Sequence, residues 1–165
     1  MRPAILGETG YEAEPHATEM LPNTKKGGLW TPLRIRRNAW WAATSGAMGY
    51  CAGTRLWRWE PNWRETMQVR TIKEAPNLLR GLQAVACWKL TPDVKPELVT
   101  AGYSECKNAN YTTAALADDR SCAVVYLASP RTIAVNLARF QGPVMARWFD
   151  PCTVTFSSAS KHYPN

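Results

Sequence analysis

Pro3-Ala4-Ile5-Leu6-Gly7-Glu8-Thr9-Gly10-Tyr11-Glu12 is the stretch from which the fold is read. Ala4, Ile5 and Leu6 form a short apolar run, closed by Pro3 before it and by Gly7 and Gly10 after it. A run with no polar alternation reads as a parallel strand covered on both faces, here entering a loop. The first polar side chain beyond it is the carboxylate of Glu8. In barrels of alternating strands and helices, side chains at the C-terminal strand ends line the reaction site. A carboxylate delivered there can act as nucleophile or as general acid or base. The same pattern also describes an ordinary strand meeting a solvated turn, so the spacing alone does not assign the chemistry.

Outward from this strand, residues 13–29 are polar and carry Pro15, Pro22, Asn23, Gly27 and Gly28, which predicts a long loop. His16, a lone histidine in that loop, is either solvated or close to Glu8. Thr31-Pro32 is a helix start, with Thr31 as N-cap and Pro32 in the first helical position. Leu33, Arg36, Trp40, Ala43 and Ala47 recur at helical spacing and predict the buried face. Ala47 to Gly53 is small and apolar and predicts the next strand. The loop after it holds Trp57, Arg58, Trp59, Glu60, Asn62 and Trp63. If residues 47–53 pair with the first strand, that loop sits above the same end as Glu8. Trp57 and Trp59 then offer flat apolar faces for stacking, or else cap an apolar rim. Ile72, Ala75, Leu79, Leu82 and Ala86 give a second helical stripe, with Pro76 inside it as a kink or as the true start.

Beyond Pro92 and Pro96 the texture changes to short β-rich runs. Residues 112–116, 122–128, 132–137 and 144–149 are separated by Asp118-Asp119, Ser129-Pro130 and Gln141-Gly142-Pro143, as in a small antiparallel sandwich. The polar tail from Ser157 to Asn165 is expected to fray.

The totals set bounds on these readings. At 165 residues the chain is shorter than the roughly 250 residues of a full barrel. Hydrophobic residues make up 45%, enough for a packed core rather than a disordered chain. The formal charge of +7 comes from Lys and Arg scattered along the chain, which reads as a solvated basic surface and not as a nucleic-acid site. Cys51, Cys87, Cys106, Cys122 and Cys152 show no metal-ligand spacing and cannot all pair internally, though a Cys106–Cys122 or Cys122–Cys152 bridge remains open. No apolar run approaches the length of a membrane helix, and the N-terminus does not read as a signal peptide.

Gly7-Glu8-Thr9-Gly10-Tyr11-Glu12, Arg36-Arg37-Asn38-Ala39-Trp40-Trp41 and Ser45-Gly46-Ala47-Met48-Gly49-Tyr50, followed by Gly53, Trp57 and Trp63, stand in one order. Together they resemble the C-terminal part of the apiosidase-like glycoside hydrolases, whose barrel is followed by a small β domain named for collagen binding. Val144 to Pro151 is similar to a segment of that second domain. The resemblance implies an α/β plus all-β chain: the last two β/α units of a (β/α)8 TIM barrel over residues 1–92, then an antiparallel β-sandwich over 96–165. It implies Glu8 as the nucleophile-type carboxylate, with the acid/base on an earlier strand, and Trp57, Trp59, Tyr11 and Arg36 as substrate-binding candidates. For Arg36 a structural ion pair is the competing role. Glycoside hydrolysis generally needs two carboxyl groups, about 5–5.5 Å apart in the retaining case. Glu12 and Glu60 are the nearby residues that could stand in for the second.

The implied substrate is an oligo- or polysaccharide of plant type, pectic or apiose-bearing. The implied partner is the N-terminal barrel portion, with no cofactor, metal, nucleic acid or membrane, and the full-length relatives are expected to be secreted or periplasmic. The chain departs from the family pattern at Ala52, where an aromatic is usual, and at Val154, where glycine is usual, which puts the final hairpin in doubt. A second reading, of another class, is a non-catalytic carbohydrate- or matrix-protein-binding module. A third is a nucleic-acid binder resting on charge alone, which salt-dependent DNA retention would test.

Overall fold

The computed structural model describes residues 3–15, 28–106 and 108–163, with side chains to residue 159. His16 lies outside the described residues. Strand β1 (Ile5–Leu6) and strand β2 (Tyr11–Glu12) are two pieces of one extended run interrupted at residues 7–10. Helix α1 (Pro32–Thr44) follows, capped as expected: the Thr31 hydroxyl accepts from the Arg34 N–H at 3.4 Å, and Pro32 spends no backbone donor in the first turn. Strand β3 (Gly49–Tyr50) then runs parallel to β1, and β4 (Gly53–Thr54) parallel to β2. A 3-10 turn at Arg55–Arg58, a short helix α2 (Trp63–Thr66) and helix α3 (Arg70–Gln83) complete this part.

Helix α3 begins at Arg70 and runs through Pro76, so the proline neither starts nor ends it. Its start is fixed from a distance: Val69 offers no side-chain cap, and the Glu12 carboxylate of β2 accepts from the Thr71 N–H at 2.8 Å instead. A carboxylate there satisfies an orphan donor and meets the positive end of the helix dipole.

The predicted buried faces differ from those observed. Helix α1 buries Ile35, Arg37, Ala39, Trp40 and Thr44, while Leu33 is 49% exposed. The reason is that α1 meets β3 and α3 as well as strands of the C-terminal part, so one stripe does not describe it. On α3 the buried residues are Thr71, Asn77 and Gly81, and Leu79 of the expected stripe is exposed.

The C-terminal part contains small antiparallel sheets. Strands β5 (Leu90–Pro92), β7 (Thr113–Ala117) and β8 (Ala123–Tyr126) form one in the order β5-β7-β8. Strand β6 (Val99–Ala101) pairs with β9 (Ala134–Val135), and β10 (Val144–Asp150) with β11 (Thr155–Tyr163). Leu98, Val99, Ala114 and Leu116 form the buried centre, walled by Ala123, Val125, Ile133 and Phe140. Two expectations are corrected here. The last hairpin does form, because Val154 takes the left-handed backbone (φ 60°) that glycine would otherwise supply, and its N–H reaches the Asp150 carbonyl at 2.9 Å. In the tail from Ser157 the described residues, to Tyr163, do not fray but belong to the β10–β11 ladder. No closed barrel is present among the described residues.

The two parts are interlocked rather than strung together. Strand β5 precedes Pro96 yet is an edge of the C-terminal sheet, pairing Leu90 with Ala117 and Pro92 with Ala115. Trp40 of α1 stacks on Tyr126 of β8 (ring centroids 5.6 Å, planes 8° apart) and tilts against Phe149 of β10 (5.7 Å). Gly81 of α3 makes room for this pair, because a Cβ there would lie 2.6 Å from the Phe149 ring and 2.9 Å from Trp40. Polar bonds close the seam: Trp41 Nε1 donates to the Tyr111 carbonyl (2.9 Å), Arg37 Nη1 to that of Ala109 (2.8 Å), and Asn77 Nδ2 to those of Pro151 (2.9 Å) and Cys152 (3.2 Å). The five cysteines are free thiols, so neither bridge left open by the sequence is present. No described helix is long and apolar enough to cross a membrane.

Candidate active site

Glu8 sits in the interruption between β1 and β2, with its side chain exposed. The loop that carries it is pinned on both sides. Gly10 is pressed under the indole of Trp30, where a Cβ would come within 2.0 Å of the ring, so glycine is required. The Thr9 hydroxyl bonds the Tyr50 hydroxyl of β3 at 3.2 Å, and Tyr50 donates in turn to the Ile35 carbonyl of α1 at 3.1 Å. Burial pushes the Tyr50 phenol above its ordinary titration range. The Tyr11 hydroxyl donates to Glu8 Oε1, and this bond, ahead of lesser burial and charge effects, raises the Tyr11 phenol. Glu8 is thus held by a neutral donor.

The other carboxylates near this end are engaged elsewhere. Glu12 caps α3. Glu14, its side chain 15% exposed, accepts from Arg58 Nη2 at 3.2 Å with Arg55 Nε at 3.9 Å. Glu60 pairs with Arg55 Nη2 at 2.6 Å. Glu12 and Glu60, the two stand-ins offered by the sequence for a second carboxyl, are therefore placed as a helix cap and as half of an ion pair.

The Glu14–Arg58 pair ties the turn after β2 to the 3-10 turn after β4, which holds the Trp57–Trp59 segment beyond the C-terminal ends of these two strands. The Arg58 guanidinium lies over the Trp57 ring (4.9 Å), and Trp59 meets Trp63 edge-on (6.4 Å), with Arg64 over Trp63 (4.3 Å). Trp57 is 60% exposed and Trp59 76%. Trp59 also adopts left-handed backbone (φ 49°), an uncommon state for a bulky residue that turns the indole outward from the 3-10 turn. Arg36 is placed apart from these groups. It forms an ion pair with Glu74 of α3, both side chains largely buried, and Glu74 also receives Arg70. A small cavity between α1, α3 and the β3–β4 connection is lined by Ile35, Trp40, Tyr50, Ala52 and the Arg36–Glu74 pair. Ala52, where the family pattern has an aromatic, opens onto this cavity.

The sequence reading missed two elements of this arrangement: the Glu14–Arg58 tie and the Glu12 cap. Arg55 and Arg58, one turn apart after a strand, were the available signal for the first.

In fold, this arrangement of parallel strand pairs joined through α1 is similar to that of solved glycoside hydrolase structures. A solved structure described as "Glycoside hydrolase" superposes with a TM-score of 0.81 at 19% identity, covering 100% of this chain and 38% of that one. A glycoside hydrolase family 5 structure from Bacteroides vulgatus ATCC 8482 gives 0.75 at 18% identity, covering 98% and 39%. This chain therefore spans about two-fifths of the length of those two. The family described as "Apiosidase-like, catalytic domain" matches residues 1–89, and the chain belongs to this family. No curated protein sequence gives a match.

Proposed function

We propose that this chain is the nucleophile-bearing C-terminal portion of a glycoside hydrolase barrel. Its substrate would be plant-type polysaccharide with pectic or apiose-containing side chains, and it would be inactive alone. The observation that carries the reading is Glu8, displaced from a parallel ladder and held by a neutral phenol while Glu12, Glu14 and Glu60 are all engaged. Residues 1–89 would supply the last two strand–helix units. The accessory β domain would then begin at Leu90, because β5 belongs to its sheet, rather than at residue 96. Trp57 and Trp59, exposed beside the Glu14–Arg58 tie, would be the sugar platform. For Arg36 we propose the structural role, since its guanidinium is spent on Glu74 between two helices.

One carboxylate cannot both attack the anomeric carbon and protonate the leaving oxygen. Two strand segments also cannot close a barrel, whose strand number, tilt and stagger are linked. The test is turnover of aryl-glycosides and pectic oligosaccharides by this chain and by a fusion to the upstream barrel of a relative. The expected result is no turnover by the chain, turnover by the fusion, its loss in Glu8→Gln, and weaker substrate binding in Trp57→Ala by about 0.5–1.5 kcal/mol. Robust hydrolysis by the 165-residue chain that Glu8→Gln removes would overturn the fragment reading.

The second reading, a binding module, has one observation in its favour: Trp148 on β10 is 55% exposed. Retention of the chain on insoluble pectin or collagen, lost in Trp148→Ala, would support it. Passage without retention sinks it.

A further inference from the structure

We propose that Tyr11, laid flat across Gly53 of the neighbouring strand, is a positioning residue that fixes one oxygen of the Glu8 carboxylate and leaves the other presented. This rests on the nucleophile role proposed for Glu8. The geometry begins with a mismatch in the ladder. Ile5 and Leu6 pair with Gly49 and Tyr50, and Tyr11 and Glu12 pair with Gly53 and Thr54. Between these paired segments lie residues 7–10 on the first strand and only 51–52 on its partner. The surplus must leave the ladder, as in a bulge that re-aims a side chain. Glu8 lies within that surplus, and Tyr11 is the first residue to rejoin.

Tyr11 can reach back to Glu8 only because the partner strand has no side chain beneath it. A Cβ on Gly53 would sit 1.7 Å from Tyr11 Cε1 and 1.8 Å from Cδ1, so the ring occupies that volume. Held there, the phenol donates to Glu8 Oε1. A hydroxyl donor orients a carboxylate without neutralising it as a cation would. The glycine thus sets the ring, the ring sets the hydroxyl, and the hydroxyl sets the acid.

The experiment is fluorine NMR on the whole chain labelled with 3-fluorotyrosine, the Tyr11 resonance being assigned by its loss in Tyr11→Phe. Its ionisation is expected at higher pH than that of free 3-fluorotyrosine, because an adjacent carboxylate disfavours the phenolate. Glu8→Gln should move it down, and Gly53→Ala, which evicts the ring, should do the same with Glu8 intact. Glu8 is exposed, so Glu8→Gln keeps the test sound if Gly53→Ala fails to fold. A Tyr11 titration indifferent to Glu8→Gln overturns the contact. In the completed-barrel fusion, Tyr11→Phe should lower kcat with KM little changed and displace the pH profile. An unchanged kcat and profile, where Glu8→Gln abolishes turnover, removes the positioning role and leaves the nucleophile reading intact.

Discussion

Trp40→Ala is the substitution that most directly tests how the two parts of this chain are joined. Trp40 is 5% exposed, stacks on Tyr126, tilts against Phe149 and closes over Gly81, so one side chain from α1 touches both β8 and β10 and reaches α3. Truncating a buried Trp to Ala costs about 3–5 kcal/mol, from lost transfer free energy and the cavity left behind. The aromatic pairing falls within that figure. Against a total stability of about 5–15 kcal/mol, the loss is a large share. With a urea dependence of about 1–3 kcal/mol per molar, the unfolding midpoint should fall by roughly 2 M. The assay is urea unfolding followed by far-ultraviolet circular dichroism, read in the refolding direction at low concentration. Trp148→Ala, on an exposed side chain, serves as control and should stay within about 1 kcal/mol. If Trp40→Ala costs no more than Trp148→Ala, the C-terminal sheets are not docked on α1, and the interlocked description fails.

Tyr126 is pushed up to about 12 by burial, against an ordinary value near 10.0. The folded state therefore holds this proton where the unfolded chain has released it, and the associated stability, about 2–3 kcal/mol, is present below pH 10 and lost as pH rises toward 12. Unfolding midpoints measured from pH 9 to 12 should show that decline, and Tyr126→Phe should flatten it; an unaltered slope would contradict the assignment. Val154→Gly should raise stability by on the order of 1 kcal/mol, because glycine occupies left-handed backbone without the clash of a β-branched side chain. A thermal melt showing Val154→Gly to be destabilising would mean that the turn after β10 is set by packing rather than by backbone conformation.

The order of elements was legible because local chemistry writes it into the chain. Thr31-Pro32 announced α1, and the apolar run that closes at Gly7 announced the strand before Glu8. What periodicity could not show was anything set by two neighbours at once. Helix α1 buries Arg37 because the Ala109 carbonyl waits across the seam, and no helical stripe carries that information. Strand β5 joins a sheet whose central strand lies more than twenty residues further on, a pairing that no local pattern around Pro92 announces.

The same limit governs the candidate site. Glu8 stood out because it follows an apolar run, but its projection depends on a difference between two strands that are separated by a whole helix in sequence. Gly53 is one of 10 glycines, and nothing beside it in the chain says that a tyrosine 42 positions earlier needs the space. Read singly, Tyr11 resembles a substrate contact and Gly53 a turn residue. Paired across the ladder, they become parts of one device, because a glycine opposite an aromatic lets the ring lie down along the sheet. Glycine–aromatic pairs at equal register on either side of a surplus are therefore a pattern to seek when a strand-end carboxylate is the candidate nucleophile. In this chain that pattern distinguishes Glu8 from Glu12, which is just as close to the strand end but turns its carboxylate to the N–H of Thr71.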